Sequence, residues 1–129
     1  MEITDTTLLS YLHDAVLTAI RYVASRRESR SVALEIQCHV DAGYEPWAGR
    51  RLNLLLEDIV MLRAVFCGFV VSKECLDGWY PRVSETMVAE LKRLSDAGLD
   101  CSGNLFTLTF STGSYLEGVC RGIIVESRE

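Results

Sequence analysis

The last quarter of the chain, Asn104 to Glu126 (NLFTLTFSTGSYLEGVCRGIIVE), restricts the fold more than any other stretch. Phe106, Leu108 and Phe110 alternate with Leu105, Thr107 and Thr109, the period of two expected of a strand with one buried face. Thr112-Gly113-Ser114 interrupts the pattern with turn chemistry, since glycine takes positive φ without a Cβ clash. The chain then returns through Leu116, Val119, Cys120, Ile123, Ile124 and Val125. This predicts a hairpin, which is a folding signal and not a catalytic one.

The same alternation recurs upstream. Val32, Leu34, Ile36 and Cys38 alternate with Ala33, Glu35, Gln37 and His39, which predicts a half-buried strand. The polar break Arg26-Arg27-Glu28-Ser29-Arg30 precedes it. A strand from about Ala15 to Ser25 would pair with it, making that break a solvated hairpin tip. Leu8 to Val23 is ambiguous, because Leu8, Leu12, Ala15, Ala19 and Val23 also fit a helical stripe. A leading helix is the alternative there, with Thr6 or Thr7 able to cap a short helical turn. Leu52, Leu54 and Leu56 predict a third strand, and a bulge near Glu57-Asp58 would explain the change of phase into Ile59, Val60, Leu62 and Val65. Phe66 to Val71 reads as a further strand.

One helix is expected, from Ser84 to about Ala97. Ser84 is a good N-cap, and Glu85 suits the positive end of the helix dipole. Met87, Val88, Leu91 and Leu94 form one apolar face, and Gly98 suits the left-handed residue that ends a helix. The expected fold class is therefore α+β: one domain over residues 1–129, with an antiparallel sheet of about five or six strands and this main helix packed on a face. At 129 residues the chain is large enough to bury a core without disulfides or metal.

Leu12-His13-Asp14-Ala15, running into an alternating segment, a polar turn and a second apolar strand, resembles the opening of several small bacterial families that begin with an "LHDA" element. Leu52 to Ile59, a strand followed by an acidic residue and an aliphatic, and the closing hairpin at Phe106 to Val125 extend the resemblance over about half the chain. Some of these families are similar to immunity proteins encoded beside polymorphic toxins. The resemblance implies an α+β fold and a protein-binding role, and it supplies no catalytic residues.

Charge and cysteine usage narrow the function classes. The net charge is −5 and the pI is near 5.0, so no bulk positive field for nucleic acid exists and a basic protein is the better-matched partner. Cys38, Cys67, Cys75, Cys101 and Cys120 are odd in number, with no CxxC pair and no secretory leader, which predicts reduced thiols in the cytoplasm. Cys101, in a polar loop, is the thiol expected to be exposed. The longest apolar stretch, Ile59 to Val71, is broken by Arg63 and Gly68 and is too short to span a bilayer.

Chemistry-bearing motifs are sparse. His13 beside Asp14 and His39 two residues before Asp41 could each be tuned as a general base. Neighbouring strand residues point to opposite faces, so His13 and Asp14 need not touch. No cysteine or histidine spacing matches a zinc site, and neither a GxSxG nor a P-loop lysine occurs. No catalytic residue, metal or cofactor is expected.

Two stretches read as loops that carry aromatics beside carboxylates. Asp41 to Arg50 (DAGYEPWAGR) holds Asp41, Tyr44, Glu45 and Trp47, and Lys73 to Pro81 (KECLDGWYP) holds Asp77, Trp79 and Tyr80. These seven are the candidate partner-binding residues, since aromatics dominate interface hot spots. The alternative is that the aromatics fold back as lids on the core. The expected function is a protein-binding module, most concretely an immunity-like protein that occludes a toxin. A small enzyme or ligand-binding protein with a pocket between helix and sheet is the second class, favoured if His13, Asp14, His39 or Asp58 converge. A homodimer built through a strand edge is the third.

Overall fold

The structure is a computed structural model that describes residues 1–24, 30–67 and 74–128. Six antiparallel strands form one sheet: β1 (Val16–Ala24), β2 (Arg30–Gln37), β3 (Arg51–Val65), β4 (Leu76–Tyr80), β5 (Asn104–Phe110) and β6 (Tyr115–Ser127), in the order β1-β2-β3-β6-β5-β4. The two ends of that order meet. Asp14 N–H donates to the Leu76 carbonyl, Leu76 N–H to the Ala15 carbonyl and Leu17 N–H to the Glu74 carbonyl, each at 2.8 Å. The sheet thus closes on itself across a short seam.

Closure overturns the expected fold class. The fold is mostly β, and the single α-helix among the described residues, α1 (Glu85–Asp96), is not a layer. The inward faces of the strands cover one another, with Leu34, Ile36, Leu54, Leu56, Phe106 and Leu108 fully or almost fully buried. Of the helix's apolar stripe only Met87 is buried; Val88 is 53% exposed, and Leu91 and Leu94 are half-buried. The stripe is real, but the apolar surface it was expected to cover already has a partner across the barrel.

Helix α1 is nevertheless built as its ends predict. The Ser84 hydroxyl accepts from Met87 N–H, and Gly98 takes φ +94°. Leu99 N–H then reaches the Leu94 carbonyl and Gly98 N–H the Ser95 carbonyl, the paired bonds of a Schellman stop. What holds the helix to the sheet is a buried carboxylate on β6. Glu117 is 2% exposed, and it accepts from Ser84 N–H at 3.1 Å and from the Ser84 hydroxyl at 2.7 Å. Arg63 of β3 approaches the same carboxylate at 3.7 Å.

The closing hairpin forms as β5 and β6, turning at Ser111–Ser114 with Gly113 at φ +91°. The phase change in β3 also forms. Asp58 takes a left-handed φ of +51°, and the register with β6 shifts between Ile59 and Met61. Here the backbones of β3 and β6 approach so closely that a Cβ on Gly118 would lie 2.1 Å from the Met61 carbonyl oxygen. Only glycine fits at that position.

The ambiguous N-terminal third divides into both of its options. A 3-10 helix, Thr6–Leu12, is followed by strand β1. Asp5 caps that helix, accepting from the Thr7 N–H and hydroxyl, so Thr7 is a donor and neither threonine is the cap. Those bonds hold the Asp5 carboxyl below its ordinary range. Leu9 and Leu12 enter the core and plug the barrel, while Ile3 pairs with Ile123 alongside β6. The hairpin tip at Arg26 to Ser29 and the end of the Phe66–Val71 segment lie outside the described residues; Phe66 and Cys67 belong to no strand.

Candidate functional site

The corner between the N-terminal 3-10 helix and β1 is where the chemistry gathers. Asp14 takes φ +67°, a left-handed conformation that aspartate tolerates better than most residues. It turns the chain from helix into strand and commits its own N–H to the seam. Because the pair sits at a corner and not within a strand, His13 and Asp14 do touch, with His13 Nδ1 at 3.2 Å from Asp14 Oδ2. On its other side His13 Nε2 lies 3.7 Å from Asp77 Oδ1 of β4.

Two clefts flank this histidine. One, of about 400 Å³, lies between the 3-10 helix and β4 and is lined by Leu9, Leu12, His13, Asp77, Trp79 and Tyr80 among others. The other, of about 310 Å³, joins Tyr11, His13 and Asp14 to His39, Asp41 and Gly43. The two stretches singled out in the sequence therefore reach one corner from opposite sides. The side chains of Asp14, Asp41 and Asp77 are 66%, 86% and 58% exposed. Tyr11, Val40 and Tyr80 are exposed apolar or aromatic neighbours of these carboxylates along the chain.

The seven candidate residues separate into groups. Asp41, Glu45, Asp77 and Tyr80 are exposed, and Tyr44 is half-buried. Trp47 is 5% exposed and belongs to the core. It sits in a 3-10 turn, Glu45–Trp47, with its ring edge-on to Tyr44 at 4.8 Å, and Tyr44 stacks in turn on Tyr11 at 5.9 Å. Trp47 is thus a lid on the core, and the more exposed aromatics of this side are Tyr44 and Tyr11. The second stretch is not a loop: Leu76–Tyr80 is strand β4. Its Asp77-Gly78 pair resembles a turn, but the glycine is there because the Tyr80 ring lies over it; a Cβ would sit 2.8 Å from the Tyr80 hydroxyl. Trp79 stacks on Phe106 at 5.3 Å and 15° and packs against the core, and among the described residues its indole N–H has no hydrogen-bond partner.

Sequence reasoning missed Tyr11 as a surface residue of the site and Glu117 as a buried anchor, and it weighed Asp14 only as a member of a catalytic pocket. A carboxylate inside the apolar run Leu116 to Cys120 was the available signal for Glu117. Asp58, weighed as a possible member, lies elsewhere, with its N–H directed at the Ser31 hydroxyl. Among the described residues no three His, Cys, Asp or Glu groups are placed to hold a metal ion, and no helix is long and apolar enough to cross a membrane.

All five cysteines are free. Cys67 is the exposed one, while Cys101 is half-buried, the reverse of the sequence expectation. Burial pushes the Cys38 thiol up to about 11 and the Cys120 thiol up to about 12. Both are inert small core residues at neutral pH.

No family model, curated protein or solved structure matches this chain.

Proposed function

We propose that the chain is a protein-binding module of the immunity-protein kind, which docks a basic partner on the corner around His13 and neutralises it by occlusion. The observation that supports this most directly is the exposure of Asp14, Asp41 and Asp77 on one corner, in clefts to which no lysine or arginine contributes. Clustered carboxylates raise the encounter rate with a positive surface. Tyr11, Tyr44 and Tyr80 offer aromatic contact area at modest entropic cost. A cytoplasmic setting fits the same reading, since five free thiols persist where the cell keeps thiols reduced.

Products of neighbouring genes are the partners to test. A neutralised variant carrying Asp14→Asn, Asp41→Asn and Asp77→Asn should associate about tenfold more slowly at low salt and little differently at high salt. Equal association rates at low salt would remove the docking face from this corner.

A second reading has one specific observation behind it. His13 stands between two carboxylates at the mouth of a cleft, within reach of a ligand whose proton it could accept. That reading requires a turnover that His13→Gln abolishes while binding is retained.

A further inference from the structure

We propose that the cleft between the N-terminal 3-10 helix and β4 is a pocket for a guanidinium group, and that the docking partner inserts an arginine side chain there. This rests on the docking reading above and names the chemistry the corner would select.

The pocket's composition makes the selection. Its volume is about 400 Å³, room for one long side chain and a few waters. Leu9, Leu12, Leu76 and Leu108 supply apolar wall, Trp79 and Tyr80 supply aromatic surface, and Thr6, Thr7, Ser10 and His13 complete the lining. Asp77 is the only carboxylate in the lining, and no lysine or arginine joins it. Asp77 is 58% exposed and keeps its water, so the selection comes from what a ligand adds: a cation with a long apolar stem gains a charge-assisted contact to the carboxylate and covers the apolar wall, which a negative or neutral polar ligand does not.

Asp77 is also available. Among the described residues its carboxylate accepts no hydrogen bond, and the one ion-pair partner within 4 Å is the His13 imidazole, whose Nε2 is 3.7 Å away. Arginine fits better than lysine. Its planar fork can give two parallel N–H bonds to one carboxylate, and it is more weakly hydrated than an ammonium, so it tolerates an aromatic wall. Tyr80 already carries one guanidinium, that of Arg82, 5.2 Å from its ring centroid. The wall is pre-formed, because the stacking of Trp79 on Phe106 fixes its ring before any ligand arrives.

The isolated protein suffices for the test. Acetyl-arginine-N-methylamide would be titrated while amide resonances of the 3-10 helix and β4 are followed by two-dimensional NMR. Agmatine, the lysine analogue and the uncharged citrulline analogue provide the comparisons. Saturable shifts confined to Thr6–His13 and Leu76–Tyr80 are expected, with affinity for the citrulline analogue weaker by about tenfold or more. Asp77→Asn should lose the arginine response to a similar degree, and Asp41→Asn, outside this pocket, should keep it. Equal binding of the citrulline analogue, shifts elsewhere, or full binding by Asp77→Asn would overturn the proposal. Binding of agmatine without the arginine amide would assign the pocket to a small free guanidine and overturn the partner assignment. No partner enters this experiment, so the two readings fail separately. A corner that binds a basic protein without an arginine response keeps the docking face and loses the pocket, and the opposite pair of results does the reverse.

Discussion

Glu117→Ala tests how the helix is held. Two hydrogen bonds to an ionised acceptor join Ser84 to Glu117. Each such bond contributes about 1.5–3 kcal/mol, and because Ser84 is exposed and rehydrates when freed, a net loss of about 3 kcal/mol is expected. Arg63 adds little, since its own side chain is 46% exposed and 3.7 Å away. The other anchorage of α1 is Met87, its one buried side chain. The loss therefore falls on a local equilibrium: the helix should swing free while the barrel stays closed. By hydrogen exchange, protection of the α1 amides should fall by roughly a hundredfold, the factor that corresponds to about 3 kcal/mol. Amides of β2, β3 and β6 should keep their rates. Glu117→Gln retains one acceptor for the Ser84 hydroxyl and should show a smaller change. Unchanged α1 protection in Glu117→Ala would refute the anchoring role. Equal loss across helix and barrel would show that the network stabilises the whole fold and not the helix alone.

Three further outcomes are expected. Trp47→Ala should destabilise the fold by about 3–5 kcal/mol, seen as a fall in melting temperature of ten degrees or more, because it removes a core ring and the edge-on contact with Tyr44. Gly118→Ala should cost about 3 kcal/mol or more in a denaturant melt, since β3 and β6 must separate to admit the Cβ, whereas Gly113→Ala in the open turn should cost only the strain of its positive φ. Finally, stability should fall as pH rises through 9. The folded thiols of Cys38 and Cys120 are raised from 9.0 to about 11 and about 12, so over that window the unfolded state has already released protons that the folded state still holds. The stabilisation is complete below pH 9 and declines toward pH 11–12, and replacing Cys120 with alanine should flatten the high-pH limb of the melting curve.

The legible parts of this fold were the local ones. The β5–β6 hairpin and the caps of α1 are specified by residues within a few positions of each other, and both form as their sequences dictate. Closure was not legible, because it depends on Asp14–Leu17 meeting Glu74–Leu76 across the fold. Without that pairing, the apolar stripe of α1 looks like the only available cover for the sheet, which is why an α+β arrangement was the natural inference. β4 was hidden by its Asp77-Gly78 pair, a turn signal serving instead to seat the Tyr80 ring. The site was half legible. The acidic and aromatic residues of both stretches could be named, but neither their convergence on His13 nor the contact of His13 with Asp14 follows from alternation, since a single left-handed residue sets the corner.

The strand order has a kinetic side. β1-β2-β3 and β4-β5-β6 are two three-stranded meanders, and the β3–β6 ladder joins them, pairing Leu52 with Ser127 and Val65 with Tyr115. Each meander can search locally, but the ladder cannot start until segments far apart along the chain collide, and the loop entropy is spent before any of its pairs form. The expected slow step of refolding is therefore the pairing of β3 with β6, which a stopped-flow refolding trace would time. At high concentration the same pairing is open to two chains, the first meander of one copy completing the second meander of another, and any exchanged dimer should then rise in proportion with refolding concentration, a result that size-exclusion chromatography would read.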